Sequence, residues 1–378
     1  MSSQRGHLLV DREIRTLVGP SIRTPTGASP PGPDLISPAS IDLRLGPVAW
    51  RIRSGFLPGS TSVETRLKEL AIARLSLESE GAILERGLAY LAPLEEELAL
   101  PADVRGRFNP RSSTGRCDIF TRVLCEGHAR FDEAPAGYSG RLWIEISPLS
   151  FPVRLRRGDR LCQMRLARGQ AALSCAELRA VHERTPLGFD PARRPLPAAE
   201  MRLDEEGGLL LSVGLEGRDP AGWRAGAHTD VLSFSSEGAH DPRDFFEPVH
   251  ASRGRCILEP GTFYVFASRE RLRVPPELAA EMLPVDTGIG ELRSNYAGFF
   301  DSGFGWREDA QGRPLDGGTP TVLEVRAHDV PFLVEDGQVF SRLRFFRTSG
   351  RPERIYGEGK SASYRDQDLT LARCFREP

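Results

Sequence analysis

The densest chemical signal in this chain is Asn109-Pro110-Arg111-Ser112-Ser113-Thr114-Gly115-Arg116, where three consecutive hydroxyls stand between two arginines. Forked guanidinium donors, hydroxyls and backbone N–H groups suit phosphate oxygens, and Gly115 permits close approach. A solvated turn would have the same composition, so residue types alone leave both readings open. A second signal is Glu145, in Leu142-Trp143-Ile144-Glu145-Ile146. On a strand Trp143 and Glu145 share a face, which can put a carboxylate in aromatic surroundings. Burial there would raise its pKa and fit it to carry protons; a solvent-facing glutamate on a half-buried strand is the alternative. A third is Asp132, in Phe131-Asp132-Glu133-Ala134-Pro135-Ala136-Gly137-Tyr138-Ser139-Gly140, which could hold a sugar hydroxyl, organise a turn, or do both. Gln163 follows the turn Gly158-Asp159-Arg160 into a strand and could meet a ligand or serve the structure.

Other chemistries lack their residues. There is no HxE followed by PCxxC for a zinc deaminase, no GxxxxGK[ST] loop, no GxSxG elbow and no HExxH helix. The seven histidines are scattered. The six cysteines, at 117, 125, 162, 175, 256 and 374, form no CxxC, which fits reduced thiols better than a disulfide framework or a zinc site. Any hydrolysis is therefore expected to do without a tightly held zinc ion.

An internal repeat must position these groups. At an offset of 174 residues, Ile83-Leu84-Glu85-Arg86-Gly87-Leu88-Ala89-Tyr90 matches Ile257-Leu258-Glu259-Pro260-Gly261-Thr262-Phe263-Tyr264. At 179, Trp143-Ile144-Glu145-Ile146 matches Val322-Leu323-Glu324-Val325. The net five extra residues fit the polar stretch Arg307 to Gly318, which reads as a loop. The expected organisation is one domain over residues 1–185, a second copy over 200–378, and a join in the proline-rich Thr185 to Glu200. Alternating runs such as Ser40-Ile41-Asp42-Leu43-Arg44-Leu45, bounded by Gly and Pro, predict short strands and an all-β sandwich or barrel. Helices are expected to be few, with Asp11 capping one through Val18 and Ser62 capping one toward Leu70.

Composition bounds the rest. Of 378 residues, 39% are apolar, enough for a sizeable core. Fifty Lys plus Arg against 52 Asp plus Glu give net −2, so charge does not imply non-specific nucleic-acid binding. No apolar run approaches the ~18 residues of a membrane helix, and the charged N-terminal stretch has no signal-peptide core. A soluble cytoplasmic protein is expected.

Pro110-Arg111-Ser112-Ser113-Thr114-Gly115-Arg116, Gly137-Tyr138-Ser139-Gly140 and Ile144-Glu145-Ile146 together resemble dCTP deaminase of the dUTPase-like superfamily. Ile36-Ser37-Pro38-Ala39-Ser40-Ile41-Asp42-Leu43-Arg44-Leu45-Gly46 is similar to that family's early strand. The resemblance covers nearly the whole chain and is closest to the long, duplicated bacterial form. It implies a distorted all-β barrel, duplicated, and hydrolytic deamination of dCTP to dUTP and ammonia. A Glu at the position of Glu145 would activate water for attack on C4, with Ser112 and Arg116 positioning water and stabilising the tetrahedral intermediate. Arg111, Ser112 and Ser113 would contact the triphosphate. Asp132 would lie near the deoxyribose, although three extra residues separate it from Gly137. Mg²⁺ would ride on the triphosphate, with no metal held by protein alone. Tyr356 and Tyr364-Arg365-Asp366-Gln367 are similar to the tail that folds over the phosphates, with Ser363 replacing the family's lysine and Lys360 nearby.

In the second copy Arg111, Ser112, Ser113 and Arg116 become Val285, Asp286, Thr287 and Gly290, and an Asp at the phosphate-binding serine would repel a triphosphate. Yet Glu324 survives opposite Glu145, and Asp301-Ser302-Gly303-Phe304-Gly305 keeps the family's Asp-to-Gly spacing. Family sites lie between subunits of threefold assemblies, so a homo-oligomer is expected. Either Glu145 works with the motif of its own copy, or the second copy faces that motif and supplies Asp301 and Glu324. Shared origin with the intact motif favours Glu145. The rival enzymes are a bifunctional dCTP deaminase–dUTP diphosphatase and a plain dUTPase. From another class, the rival is a nucleotide-binding regulator without turnover, and dTTP is a candidate feedback ligand.

Overall fold

The structure is a computed structural model that describes residues 6–26, 28–284, 292–294, 298–315, 317–327, 329–358 and 368–376, with backbone only for 292–294. It is all-β, with short α-helices α1 (Asp11–Leu17), α2 (Val63–Leu70), α3 (Ser112–Arg116) and α4 (Cys175–Arg184). Among the described residues no helix is long and apolar enough to cross a membrane. Alternation makes the strands: in Val104–Pro110, Val104, Gly106 and Phe108 are buried while Arg105 and Arg107 are exposed. Ser62 caps α2 as expected, its Oγ accepting from Thr65 N at 3.2 Å. Asp11 does not cap α1; Val10 holds that position and Asp11 begins the helix. Its carboxylate instead accepts the backbone N–H of Glu353 at 3.0 Å, tying the N-terminal helix to a distant loop.

The repeat is written into the strand registers. Arg107 opposite Arg165 and Pro110 opposite Cys162 become Glu281 opposite Arg344 and Pro284 opposite Ser341. Leu91 opposite Glu145 becomes Val265 opposite Glu324, and Leu84 opposite Val153 becomes Leu258 opposite Phe332. Each pair keeps the two offsets of 174 and 179. Even a tyrosine latch recurs: Tyr90 Oη accepts from Glu85 N and Tyr264 Oη from Glu259 N, both at 2.9 Å.

In the first half, one sheet carries Ser40–Leu43, Cys162–Arg168 and Val104–Pro110 as neighbours, and another carries Ile119–Cys125, Ser139–Pro148, Ala89–Ala99 and Val48–Ile52. Ile41, Phe108 and Met164 from the first meet Ala92, Ile144 and Ile146 from the second in one core. The second half repeats this with Gly208–Ser212, Val339–Arg347 and Leu278–Pro284, and with Gly222–Ala225, Phe263–Leu272 and Thr319–Ala327. Its core includes Leu173, Leu178 of α4 and Leu187. The changeover of cores therefore falls before α4, earlier than the join expected at Thr185 to Glu200. Prolines punctuate that stretch, but Leu187 and Phe189 are fully buried and Gly188–Phe189 pairs with Arg271 and Leu272.

The halves are not separate beads. Trp223, Phe263, Val265 and Val322 from the second half, and Leu371, Ala372, Cys374 and Phe375 from the C-terminal segment, join the first half's core. Burying each large apolar side chain there contributes about 1.5–3 kcal/mol. This contact presses one face of the second half's sheet onto α3, and it builds the site.

Candidate active site

The phosphate-suited motif becomes the end of strand Val104–Pro110 and the single turn α3. Arg111 N donates to Leu161 O at 2.9 Å and Thr114 Oγ1 donates to the same carbonyl at 2.7 Å, which fixes the turn to the strand entrance. Thr114 is thereby committed to structure, so its hydroxyl is not one of three offered to a ligand. Ser113 and Arg111 line a cavity of about 640 Å³ together with Arg160, Arg354, Arg373 and Cys374. Arg111 Nε lies 3.1 Å from Asp42 and Arg160 Nη1 3.7 Å from it. Burial pushes the Asp42 carboxyl up, and these two guanidiniums oppose that push.

The carboxylate against α3 comes from the other half. Glu324 Oε1 is 4.0 Å from Arg116 Nε, both side chains being buried. A Cβ added at Gly115 would lie 2.9 Å from Glu324 Oε2, so glycine is what lets this carboxylate approach. Burial pushes Glu324 up to about 8; Arg116 pulls the other way, and Asp118 adds to the rise. Trp223, Val265 and Glu324 are directly opposed across three strands and so share one face. The sequence reading had not singled out Trp223.

Within this chain Glu145 stands away from the motif of its own copy. Its strand pairs with Ile119–Cys125, and Arg122, directly opposite, binds Glu145 Oε1 through Nη2 at 2.6 Å. Arg122 is itself stacked 3.9 Å from the Phe131 ring centroid. The backbone of Gly55 closes over the carboxylate, where an added Cβ would come within 2.5 Å of Oε2. Although they share a copy, α3 and Glu145 project from different sheets of one half. Trp143 does share a face with Glu145 and is buried, and it packs 6.1 Å from Trp50.

Asp132 also stays within the first half. It adopts φ 59°, and its Oδ1 accepts from Val123 N at 2.8 Å, which is the turn role. Burial raises its carboxyl to about 7. Asp301, just after the strand Phe299–Phe300, instead crosses to the first half. Ser40 Oγ donates to Asp301 Oδ2 at 3.0 Å and Arg165 Nη2 to Oδ1 at 2.9 Å. Gln163 joins this patch, its Oε1 3.4 Å from Ser40 Oγ and its Nε2 donating to Pro110 O at 3.3 Å. Arg116 Nη1 donates to Thr370 O at 2.9 Å, so the C-terminal segment closes over the motif. Tyr356 lies apart from that cavity, its N donating to Ser302 O at 2.8 Å and its ring 5.7 Å from Phe304. Tyr364, Gln367, Lys360, Ser363 and residues 285–290 lie outside the described residues.

One chain thus brings together Arg111, Ser112, Ser113, Arg116 and Gln163 from its first half with Asp301 and Glu324 from its second. No group of three or more His, Cys, Asp or Glu side chains placed to hold a metal ion occurs among the described residues. Sequence reasoning missed Ser40, Arg160, Arg165, Arg354 and Arg373; the first lay inside a quoted strand, and the arginines are lost in an arginine-rich composition.

Family models agree with this two-part construction. The N-terminal domain of 2'-deoxycytidine 5'-triphosphate deaminase matches residues 6–170, and its C-terminal domain matches residues 175–375. The chain belongs to the dCTP deaminase family. It is similar to a solved dCTP deaminase from Agrobacterium tumefaciens, with a TM-score of 0.81 and 41% identity over 93% of this chain and 100% of that one. A "dCTP deaminase, dUMP-forming" from Acidothermus cellulolyticus is 30% identical over 165 residues, 43% of this chain and 80% of that protein. A dCTP deaminase from Rhodospirillum rubrum is 31% identical over 145 residues, 35% of this chain and 68% of its own.

Proposed function

We propose that this protein hydrolyses dCTP to dUTP and ammonia, with Glu324 as the proton carrier and one site completed by the two halves of a single chain. The observation that carries this reading is Glu324 set against Arg116 and Gly115. In its carboxylate form Glu324 takes a proton from water as the oxygen bonds to cytosine C4. The protonated acid then delivers that proton to ring N3, Glu324 next carries the C4 hydroxyl proton to the amino group, and the C4–N bond breaks so that ammonia leaves as the C4 carbonyl forms. Arg116 and Ser112 steady the developing negative charge. Arg111, Ser113 and the cavity's Arg160, Arg354 and Arg373 neutralise the triphosphate. Asp301 and Gln163 lie on the sugar side. The nearby carboxylates are engaged, Asp42 with Arg111 and Arg160, and Asp159 accepting from Arg156 N at 2.8 Å. That arrangement suits Mg²⁺ arriving on the phosphates rather than one held by protein. The stacked sheets of each half are read as the distorted dUTPase-like barrel, present twice.

The name of the Acidothermus relative raises a second reading, in which dUTP is hydrolysed onward to dUMP. Incubation with dCTP and Mg²⁺, following ammonia, dUTP and dUMP together, decides between them. Ammonia with dUTP, lost in Glu324→Gln and kept in Glu145→Gln, is the expected result. Ammonia with dUMP makes the enzyme bifunctional. Tight dCTP binding without ammonia leaves a nucleotide-binding regulator and sinks the catalytic reading.

A further inference from the structure

The interface that carries Glu324 holds a second, charge-reversed pair one step along. On the first half, Arg116 is followed two residues later by Asp118; on the second, Glu324 is followed two residues later by Arg326. Arg326 Nη2 pairs with Asp118 Oδ2, and Arg326 Nη1 donates to Gly261 O. Asp118 is fully buried. Its backbone is held in φ 52°, with its N donating to Gly115 O at 2.8 Å and its O accepting from Leu149 N at 2.9 Å. Ser150 Oγ donates to Asp118 Oδ2 at 2.5 Å and lies 3.4 Å from Arg326 Nη2. The carboxylate is thus fixed from the backbone and from both halves. By the repeat's 179 offset the place of Arg326 in the first half is Ser147, so the clamp has no equivalent beside Glu145.

We propose that Asp118 and Arg326 are a positioning pair that registers Glu324 against Arg116 across the two halves. The pair rests on the reading of Glu324 as the proton carrier. Two residues along a strand return to the same face, so fixing Arg326 fixes where Glu324 points. The groups facing Glu324 are Arg116 and Asp118 by charge, with Cys117 between them and Arg326 beside it on its own strand. Removing Arg326 leaves Asp118 buried without that cation, removing Asp118 leaves the half-buried Arg326 without that carboxylate, and the two removals act on Glu324 with opposite sign. A tie that served folding alone would not produce opposite signs.

The test is the pH dependence of kcat/KM for dCTP in wild type, Asp118→Asn, Arg326→Gln, the double variant and Glu324→Gln. Asp118→Asn is expected to move the acid limb to lower pH and Arg326→Gln to higher pH, by about one unit each way. Arg326→Lys, which keeps the charge but not the fork, leaves the limb in place. The double variant leaves no unpaired charge, so it folds if either single variant does not. It is expected to return the limb to the wild-type position while kcat falls about tenfold with KM unchanged. Limbs that stay in place in both single variants, or wild-type kcat in the double variant, overturn the proposal. If Glu324→Gln deaminates like wild type, the proton-carrier reading fails and the pair's role fails with it. If Glu324→Gln is inactive and the limbs do not move, only the pair's role fails.

Discussion

At Glu324 three effects compete, and burial wins. Arg116, at 4.0 Å, favours the ionised form, yet the carboxyl stands at about 8 because burial disfavours its charge and Asp118 repels it. Two consequences follow at this scale. Glu324→Gln should lower kcat/KM by about 10²- to 10⁴-fold, the range of a positioned acid–base group. Because the carboxylate form accepts the water's proton, wild-type kcat/KM should rise with pH through a limb near about 8, absent from the residual activity of Glu324→Gln. Stability runs the other way. Glu324 at about 8 and Asp132 at about 7 hold protons that the unfolded chain, with ordinary carboxyl values of 4.5 and 3.8, has already released. Rising pH therefore favours unfolding across roughly pH 4 to 8. Wild type should lose melting temperature from pH 5 to pH 8, and Glu324→Gln combined with Asp132→Asn should lose distinctly less. An equal loss in both proteins would remove these carboxyls from the account.

At the scale of elements, a glycine stands against each of the two carboxylates. In a helical turn alanine is favoured over glycine by up to about 1 kcal/mol. At Gly115 the added methyl would meet Glu324 at 2.9 Å, and at Gly55 it would meet Glu145 at 2.5 Å. The obstructed atoms are carboxylate ends that can swing aside, so both variants should fold. Gly115→Ala should lose most deaminase activity with little change in melting temperature, and Gly55→Ala should keep its activity. Activity lost in Gly55→Ala but kept in Gly115→Ala would return the chemistry to Glu145. Arg122, on the neighbouring strand, occupies Glu145 and is itself held on Phe131.

At the scale of the molecule, duplication puts both sides of the proposed site in one chain. The resemblance implies sites shared between subunits, whereas here the two sides of the site are two halves of one chain, joined by Arg116–Glu324, Asp118–Arg326, Arg165–Asp301 and Arg107–Glu281, the last at 2.7 Å. Mixing inactive Arg116→Ala with inactive Glu324→Gln should therefore restore nothing. If the sites formed between chains, mixing would return a measurable fraction of wild-type ammonia release.

The sequence alone determined the all-β class, the repeat with both its offsets, the arginine–serine motif and the two surviving carboxylates. Each rests on local pattern, in which alternation and turn residues act within a few positions. It also kept open the version in which Glu324 faces the first copy's motif, while favouring Glu145 because that residue shares a copy with the intact motif. Only the tertiary structure shows the surroundings of each, Glu324 against α3 and Glu145 against Arg122. A carboxylate's partner is set by which sheet face meets which across the interface of the halves. Leu91 opposite Glu145 and Val265 opposite Glu324 are equivalent in register, but one face is covered by Gly55 and Arg122 and the other by α3.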